Sequence, residues 1–155
     1  MPRLGLAVAA GVAVADQLVK WWLTGVVAGA PQGIELTGFL NLVKVENRGI
    51  SFGLFGDGAL PPWLLAAFAA AVAIALGVWL MRAEGRWLVL ALGLIIGGAV
   101  GNIVDRLRFG AVADFLDFHI GAYHWPAFNL ADASITVGIA LLLIDALLIR
   151  RERHK

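Results

Sequence analysis

The stretch GGAVGNIVDRLRFGAVADFLDFHIGAYHWPAFNLAD, residues 97–132, decides how the rest of the chain is read. It opens on the end of one apolar run and closes on the start of another, and between them stand four aspartates, two asparagines and two arginines. A charged side chain at the centre of a bilayer costs roughly 3 kcal/mol on insertion scales, so such groups face a protein interior or a watery cavity and mark function. The flanking runs are expected to be helices that end and begin at one membrane surface, where Asp114 and Asp132 come together as a pair of acids.

Composition sets the frame for that reading. The chain has 155 residues, 61% of them hydrophobic and 15% charged, with a mean hydropathy of +0.86. These values belong to the membrane class. A span takes about 20 apolar residues, so this length allows roughly four helices and one modest element outside the bilayer, all in a single domain over residues 1–155. The net charge is only +1, and the basic residues gather at helix ends and form no stripe, so nucleic acid is not an expected partner. There is no cysteine, which excludes disulfides, thiolate nucleophiles and cysteine metal sites.

Working outward from the central stretch, the preceding helix is expected over about 87–109. Gly97, Gly98 and Gly101 strip side chains from one turn and admit a close neighbour. Asn102, Asp105 and Arg106 follow at spacings of three and four, which stacks them on one face. Gly110 is placed to end the helix. Residues 111–118, AVADFLDF, are too short to span and read as a segment lying at the surface, with Tyr123, Trp125 and Pro126 marking the interface. The next helix is expected over about 128–149. Asn129 suits its N-cap and Asp132 its N3 position, so Asp132 has a capping reading beside the catalytic one. Asp145 is expected to pair with Arg150 and is given no function.

Toward the N-terminus, residues 62–81 form an uncharged, alanine-rich span, with Pro61 and Pro62 at its first turn, where a missing N–H costs least. It is expected to be scaffold facing lipid. Residues 29–60 form an extramembrane platform, with one or two short strands expected within LTGFLNLVKV, residues 36–45. Residues 46–53, ENRGISFG, are expected to be a loop returning to the membrane surface. Taken alone, Asn47 and Gly49 in it are ordinary turn residues.

The first span, about 4–27, resembles a secretory signal because Ala28-Gly29-Ala30 has the small-residue pattern of a cleavage site. Its apolar part is too long for that, and it carries Asp16, Gln17 and Lys20. Asp16 and Lys20 share a helix face in the favourable order. Two readings stand for them: a buried ion pair holding the helix against its neighbours, or a direct role.

Basic residues orient the chain. Arg3, Arg82, Arg86, Arg150, Arg151, Arg153 and Lys155 lie on one side, against Lys44, Arg48, Arg106 and Arg108 on the other. The first side is expected to be cytoplasmic, with both termini there and the polar motifs outside.

Few chemistries fit the outer cluster. No His-Glu-x-x-His pattern suggests zinc, and no histidine stands at a telling spacing from Ser51 or Ser134. His119 and His124 fall in a surface loop. What remains is two carboxylates, which cannot both ionise when close and so share a proton; one takes a proton from water while the other protonates the carbonyl oxygen or leaving amine. This aspartic arrangement calls for no metal or cofactor.

Four groups of residues, in order, resemble the motifs of the lipoprotein signal peptidase family, also called signal peptidase II. They are Asp16 with Lys20; residues 47–53, NRGISFG; residues 101–106, GNIVDR, followed by residues 110–115, GAVADF; and residues 128–132, FNLAD. The resemblance implies a membrane protein of four transmembrane helices with a small extracytoplasmic β-rich cradle, an all-α bundle apart from that cradle. It implies an aspartic endopeptidase of the bacterial inner membrane that cuts the signal peptide from diacylglyceryl-modified prolipoproteins just before the lipidated cysteine. By position in the motifs, Asp114 and Asp132 correspond to the catalytic pair. Asn47, Asn102, Arg106 and Asn129 correspond to residues lining the site, and Asp16, Lys20 and Asp105 to supporting residues. Globomycin is implied as an inhibitor, with membrane lipid as the surroundings and a monomer as the expected state. The alternative from another class is a small proton-linked transporter or channel, since intramembrane Asp and Lys also mark ion paths. Neither an inverted repeat nor discontinuous helices are evident in the sequence to favour it.

Overall fold

The structure, a computed structural model, describes residues 1–49 and 60–149. In chain order it has helix α1 (Pro2–Val27), strands β1 (Ile34–Thr37) and β2 (Leu40–Asn47), helices α2 (Pro62–Arg82) and α3 (Arg86–Phe109), strands β3 (Val112–Ile120) and β4 (Tyr123–His124), and helix α4 (Leu130–Ile144), which runs into a π-helical turn, Asp145–Ile149. Among the described residues, four helical segments are long and apolar enough to cross a membrane.

The glycines of α3 explain why it is the central helix, in contact with α1, α2 and α4. A methyl group on Gly93 would lie 2.7 Å from the Gly5 carbonyl oxygen of α1, and one on Gly97 would lie 2.6 Å from the Ala9 carbonyl oxygen. On the other flank, a methyl on Gly98 would collide with the Ala131 carbonyl oxygen of α4. Without an apolar drive between helices inside lipid, such close backbone approach is what brings helices together. By contrast α2 buries only Leu65, Ala66 and Leu80 and serves as scaffold. Gly110, at φ 74°, ends α3 with its N–H on the Arg106 carbonyl, as the sequence suggested.

Above the helix ends lies a four-stranded sheet in the order β1-β2-β3-β4, each strand antiparallel to its neighbour. The strands expected within residues 36–45 are β1 and β2. Residues 111–118, expected as a surface segment, are instead mostly part of β3. The reason is non-local: β3 finds its ladder on β2, with Asn41 opposite Asp117 and Val45 opposite Asp114. Between Leu42 and Val45 the register slips. A bulge of this kind kinks a strand and redirects its side chains, and it lies just before Asn47.

The last span begins two residues later than expected because Phe128 is held in the sheet. Its carbonyl accepts the N–H groups of Phe115 and Leu116, at 3.1 and 3.0 Å, and its own N–H reaches the Leu116 carbonyl at 3.1 Å. Beneath the sheet, Phe115 packs with Val27 and Leu42 as an apolar plug between sheet and bundle. Trp21, Trp22, Tyr123 and Trp125 are exposed, as interfacial residues should be. Residues 50–53 of the expected return loop, and the Arg150 partner expected for Asp145, lie outside the described residues.

Candidate active site

The site is built where α1, α3, β2, β3 and the start of α4 converge. Asn129 is the N-cap of α4, its Oδ1 accepting the Asp132 N–H at 2.9 Å. The capping expectation for Asn129 therefore holds, yet the Asp132 carboxylate turns elsewhere, accepting from Asn102 Nδ2 at 2.9 Å. Asp114, buried on β3, accepts from two amides: Asn129 Nδ2 at 2.7 Å on Oδ1, and Asn47 Nδ2 at 3.2 Å on Oδ2. Asn129 also approaches Asn102 Oδ1 at 3.3 Å. A continuous line of amides thus joins Asp114, Asn129, Asn102 and Asp132.

Behind this line sits a buried ionic cluster. The Lys20 ammonium meets Asp16 Oδ2 at 2.8 Å, Asp105 Oδ2 at 2.7 Å and Asn102 Oδ1 at 3.1 Å. An ammonium has three N–H donors, and all three are used. Asp16 Oδ1 accepts the Ala131 N–H at 2.9 Å, which ties α1 to the first turn of α4. The ion pair predicted between Asp16 and Lys20 is present, and Asp105 is a second partner.

Arg106 stands at the rim, half buried, donating from Nη2 to the Gly49 carbonyl at 3.0 Å. Gly49 N–H in turn donates to Asn47 Oδ1 at 3.0 Å, which fixes that amide with its NH2 toward Asp114. The Arg106 charge is felt by Asp132, Asp105 and Asp114.

Burial and the neighbouring Asp132 charge raise the Asp114 carboxyl to about 6, against the pull of its amide donors and Lys20. Such a group exchanges protons close to neutrality, as a general acid or base must.

A groove of about 570 Å³ opens on this cluster. Asn47 and Asp132 stand in its wall, with Phe128, Ile135, Val137 and Ile139 carrying it along the outer face of α4. Its wall is apolar except at Asn47, Asp132 and Thr136; Asp114 is not in the wall and sits behind it, bonded to Asn47. A smaller cavity of about 250 Å³ lies on the Lys20 side of the sheet, and neither Asp114 nor Asp132 lines it. No cluster of metal-ligating side chains is found among the described residues.

Asp117 is not part of the cluster. Three positions from Asp114 on an extended strand, it points to the opposite face. There it pairs with His124 Nδ1 at 2.9 Å and accepts from Asn41 at 3.0 Å. Burial works to raise its carboxyl, but the bonds from His124 and Asn41 outweigh that and hold it below the usual carboxylate value.

Sequence reasoning missed Gln17 as a member of the site. Its Nε2 bonds Asp105 Oδ1 at 2.8 Å and the Gly101 carbonyl at 3.2 Å, closing the cluster from α1. The signal was a second polar residue beside Asp16 in an apolar run.

The model of the Signal peptidase (SPase) II family matches residues 8–148. The chain is 48% identical over 153 residues to the lipoprotein signal peptidase of Rhizorhabdus wittichii, covering 97% of this chain and 89% of that protein. It is 50% identical over 145 residues to the lipoprotein signal peptidase of Methylobacterium sp. strain 4-46, covering 92% and 87%. A solved bacterial membrane enzyme, obtained by the in meso method at 1.9 Å resolution, superposes with a TM-score of 0.78 at 28% identity, covering 94% of this chain and 93% of that one.

Proposed function

The chain belongs to the signal peptidase II family, and from that premise we propose that it removes the signal peptides of lipoproteins by an aspartic mechanism, with Asp114 and Asp132 as the catalytic pair. The observation that carries the reading is the amide line: Asn47 and Asn129 hold Asp114, and Asn102 holds Asp132, beside one apolar groove. The two acids share a proton. One takes a proton from a water as its oxygen attacks the scissile carbonyl carbon, and the other protonates the carbonyl oxygen. Collapse of the tetrahedral species then breaks the C–N bond as the amine is protonated.

The substrate is a diacylglyceryl-modified prolipoprotein, cut just before its lipidated cysteine. Its acyl chains keep it in the bilayer, so it reaches the groove along α4 by lateral diffusion, and the apolar wall of Ile135, Val137 and Ile139 suits an apolar signal segment. The sheet serves as a cradle over the bond and limits water to what the reaction consumes. The excess of lysine and arginine near the termini and the α2–α3 turn puts both termini in the cytoplasm and the site at the outer face of the bacterial inner membrane. The protein acts as a monomer without metal or cofactor, and globomycin occupies the groove. Arg106 lines the site; Asp16, Lys20 and Asp105 support it. The transporter or channel considered from the sequence gains no support, since the family matched is a peptidase family.

The test is cleavage of a diacylglyceryl-modified preprolipoprotein by the reconstituted protein. Asp114→Asn and Asp132→Asn are each expected to lose about a thousandfold or more in rate while still folding in the membrane. Near wild-type cleavage by either variant overturns the pair.

A further inference from the structure

Three asparagines touch the acids, and each has its amide orientation set by a group that can only donate. Asn47 Oδ1 accepts the Gly49 N–H at 3.0 Å, and Asn129 Oδ1 accepts the Asp132 N–H at 2.9 Å. Asn102 Oδ1 accepts from the Lys20 ammonium at 3.1 Å. A lysine ammonium has no acceptor, so the Asn102 oxygen must face it and the NH2 must face Asp132. Two of the three locks are neutral backbone groups. The third carries a full positive charge, and it is the one that points through its amide at Asp132.

We propose that Lys20 is a positioning residue for the hydrolysis: its third N–H fixes and polarises Asn102, and so makes Asp132 the ionised member of the pair that takes the proton of the attacking water. This rests on the reading of Asp114 and Asp132 as the catalytic pair. The inequality follows from the connections. Both oxygens of Asp114 receive amides locked by neutral groups, whereas the Asn102 amide on Asp132 is backed by a cation, and a hydrogen bond with a charged donor behind it is strengthened in a low dielectric.

The proton count closes. Water adds its oxygen to the carbonyl carbon, one proton passing to Asp132 while Asp114 gives its proton to the carbonyl oxygen. In the second half Asp132 returns a proton to the leaving nitrogen, the C–N bond breaks, and a hydroxyl of the tetrahedral species reprotonates Asp114. The pair ends as it began.

Among the described residues, the charged groups facing Asp132 are Lys20 and Asp16 from α1, Arg106 from α3 and Asp114 from β3; Asp105 of α3 acts through Lys20. Removing Lys20 alone would leave Asp16 and Asp105 buried without their cation. The useful variant is therefore Lys20→Met with Asp105→Asn, which keeps the net charge of the cluster, compared with Asp105→Asn alone.

The experiment is the pH profile of cleavage of a diacylglyceryl-modified preprolipoprotein by the purified full chain in detergent micelles. Relative to Asp105→Asn, the double variant is expected to move the acid limb upward by about one pH unit. Its kcat should fall about tenfold with KM changed less than about twofold, because the interaction lost acts on the reacting state and not on substrate binding. Asn102→Ala, which cuts the same link without touching the ions, is expected to move the limb in the same direction. In that background the Lys20 change should add little further shift. An unmoved limb in Asn102→Ala overturns the proposal even if the double variant fails to fold, and so does a full further shift on removing Lys20 from the Asn102→Ala background. Cleavage by Asp132→Asn would sink the catalytic pair itself; an inactive Asp132→Asn with unmoved limbs would sink only the role of Lys20.

Discussion

Asn129 donates to Asp114 at 2.7 Å from one end of its amide while the other end caps α4, accepting the backbone N–H of Asp132 at 2.9 Å. One side chain therefore fixes both where the helix starts and how the strand carboxylate is held. The two duties separate by substitution. Asn129→Ala loses cap and donor together, with about 1 kcal/mol lost from the cap. Asn129→Ser keeps a good cap but is too short to donate to Asp114. Melting in detergent is expected to fall for the alanine variant and to stay near wild type for the serine variant. Cleavage is expected to fall at least about tenfold in both. A serine variant with full activity would show that the bond to Asp114 has no part in the reaction.

The raised Asp114 carboxyl makes stability depend on pH. Its folded value, about 6, lies above the ordinary 3.8, so between these values the folded protein binds more protons than the unfolded chain. Stability is then fullest below the ordinary value and declines as pH rises toward 6, by roughly 2 to 3 kcal/mol from this one group. Asp114→Asn removes the proton exchange. Melting temperatures measured in detergent from pH 4 to pH 7 are expected to fall more steeply for wild type than for the variant; parallel curves would contradict the assigned shift.

Gly101 marks where α3 meets the ionic cluster. A methyl group added there would lie 2.5 Å from Asp16 Oδ2, a buried carboxylate already committed to Lys20 and to the Ala131 N–H. Overpacking at a site with no slack costs about 1 to 3 kcal/mol. Gly101→Ala is expected to lower the melting temperature. Asp16→Asn, which leaves Lys20 one carboxylate short, should lower it further, since breaking a buried pair costs about 3 to 5 kcal/mol. An Asp16→Asn protein as stable as wild type would remove the argument that this cluster joins α1 to α4.

The helices were legible because lipid demands long apolar runs and closes them with charge or glycine. Arg82, Arg86 and Gly110 mark ends that the structure reproduces within a residue. The acids and asparagines were legible as polar groups too costly to lie beside hydrocarbon by chance. What could not be read locally was pairing at a distance. The bond from Asn47 to Asp114 spans 67 positions, and that from the Ala131 N–H to Asp16 spans 115. For the same reason β3 read as a loose surface segment: its ladder partner β2 lies on the other side of two membrane helices in sequence, and its alternation is blurred because both faces are partly buried. The start of α4 was misplaced because the bond that keeps Phe128 in the sheet also comes from β3.

Asp117 gives the sharpest contrast with Asp114, since both lie on β3, three positions apart. Strand alternation puts it on the face away from Asp132, bonded to Asn41 and His124. His124 is half exposed, so the pair is worth under about 1 kcal/mol. Because the Asp117 value is depressed on folding, what it contributes is present above the ordinary carboxylate value and fades as pH falls below about 4. Asp117→Asn is therefore expected to cleave a diacylglyceryl-modified preprolipoprotein within about twofold of wild type, with its small stability loss seen at neutral pH and vanishing in acid. Loss of cleavage in a folded Asp117→Asn protein, with Asp114→Asn still active, would transfer the chemistry to the other face of the sheet and take the groove along α4 with it.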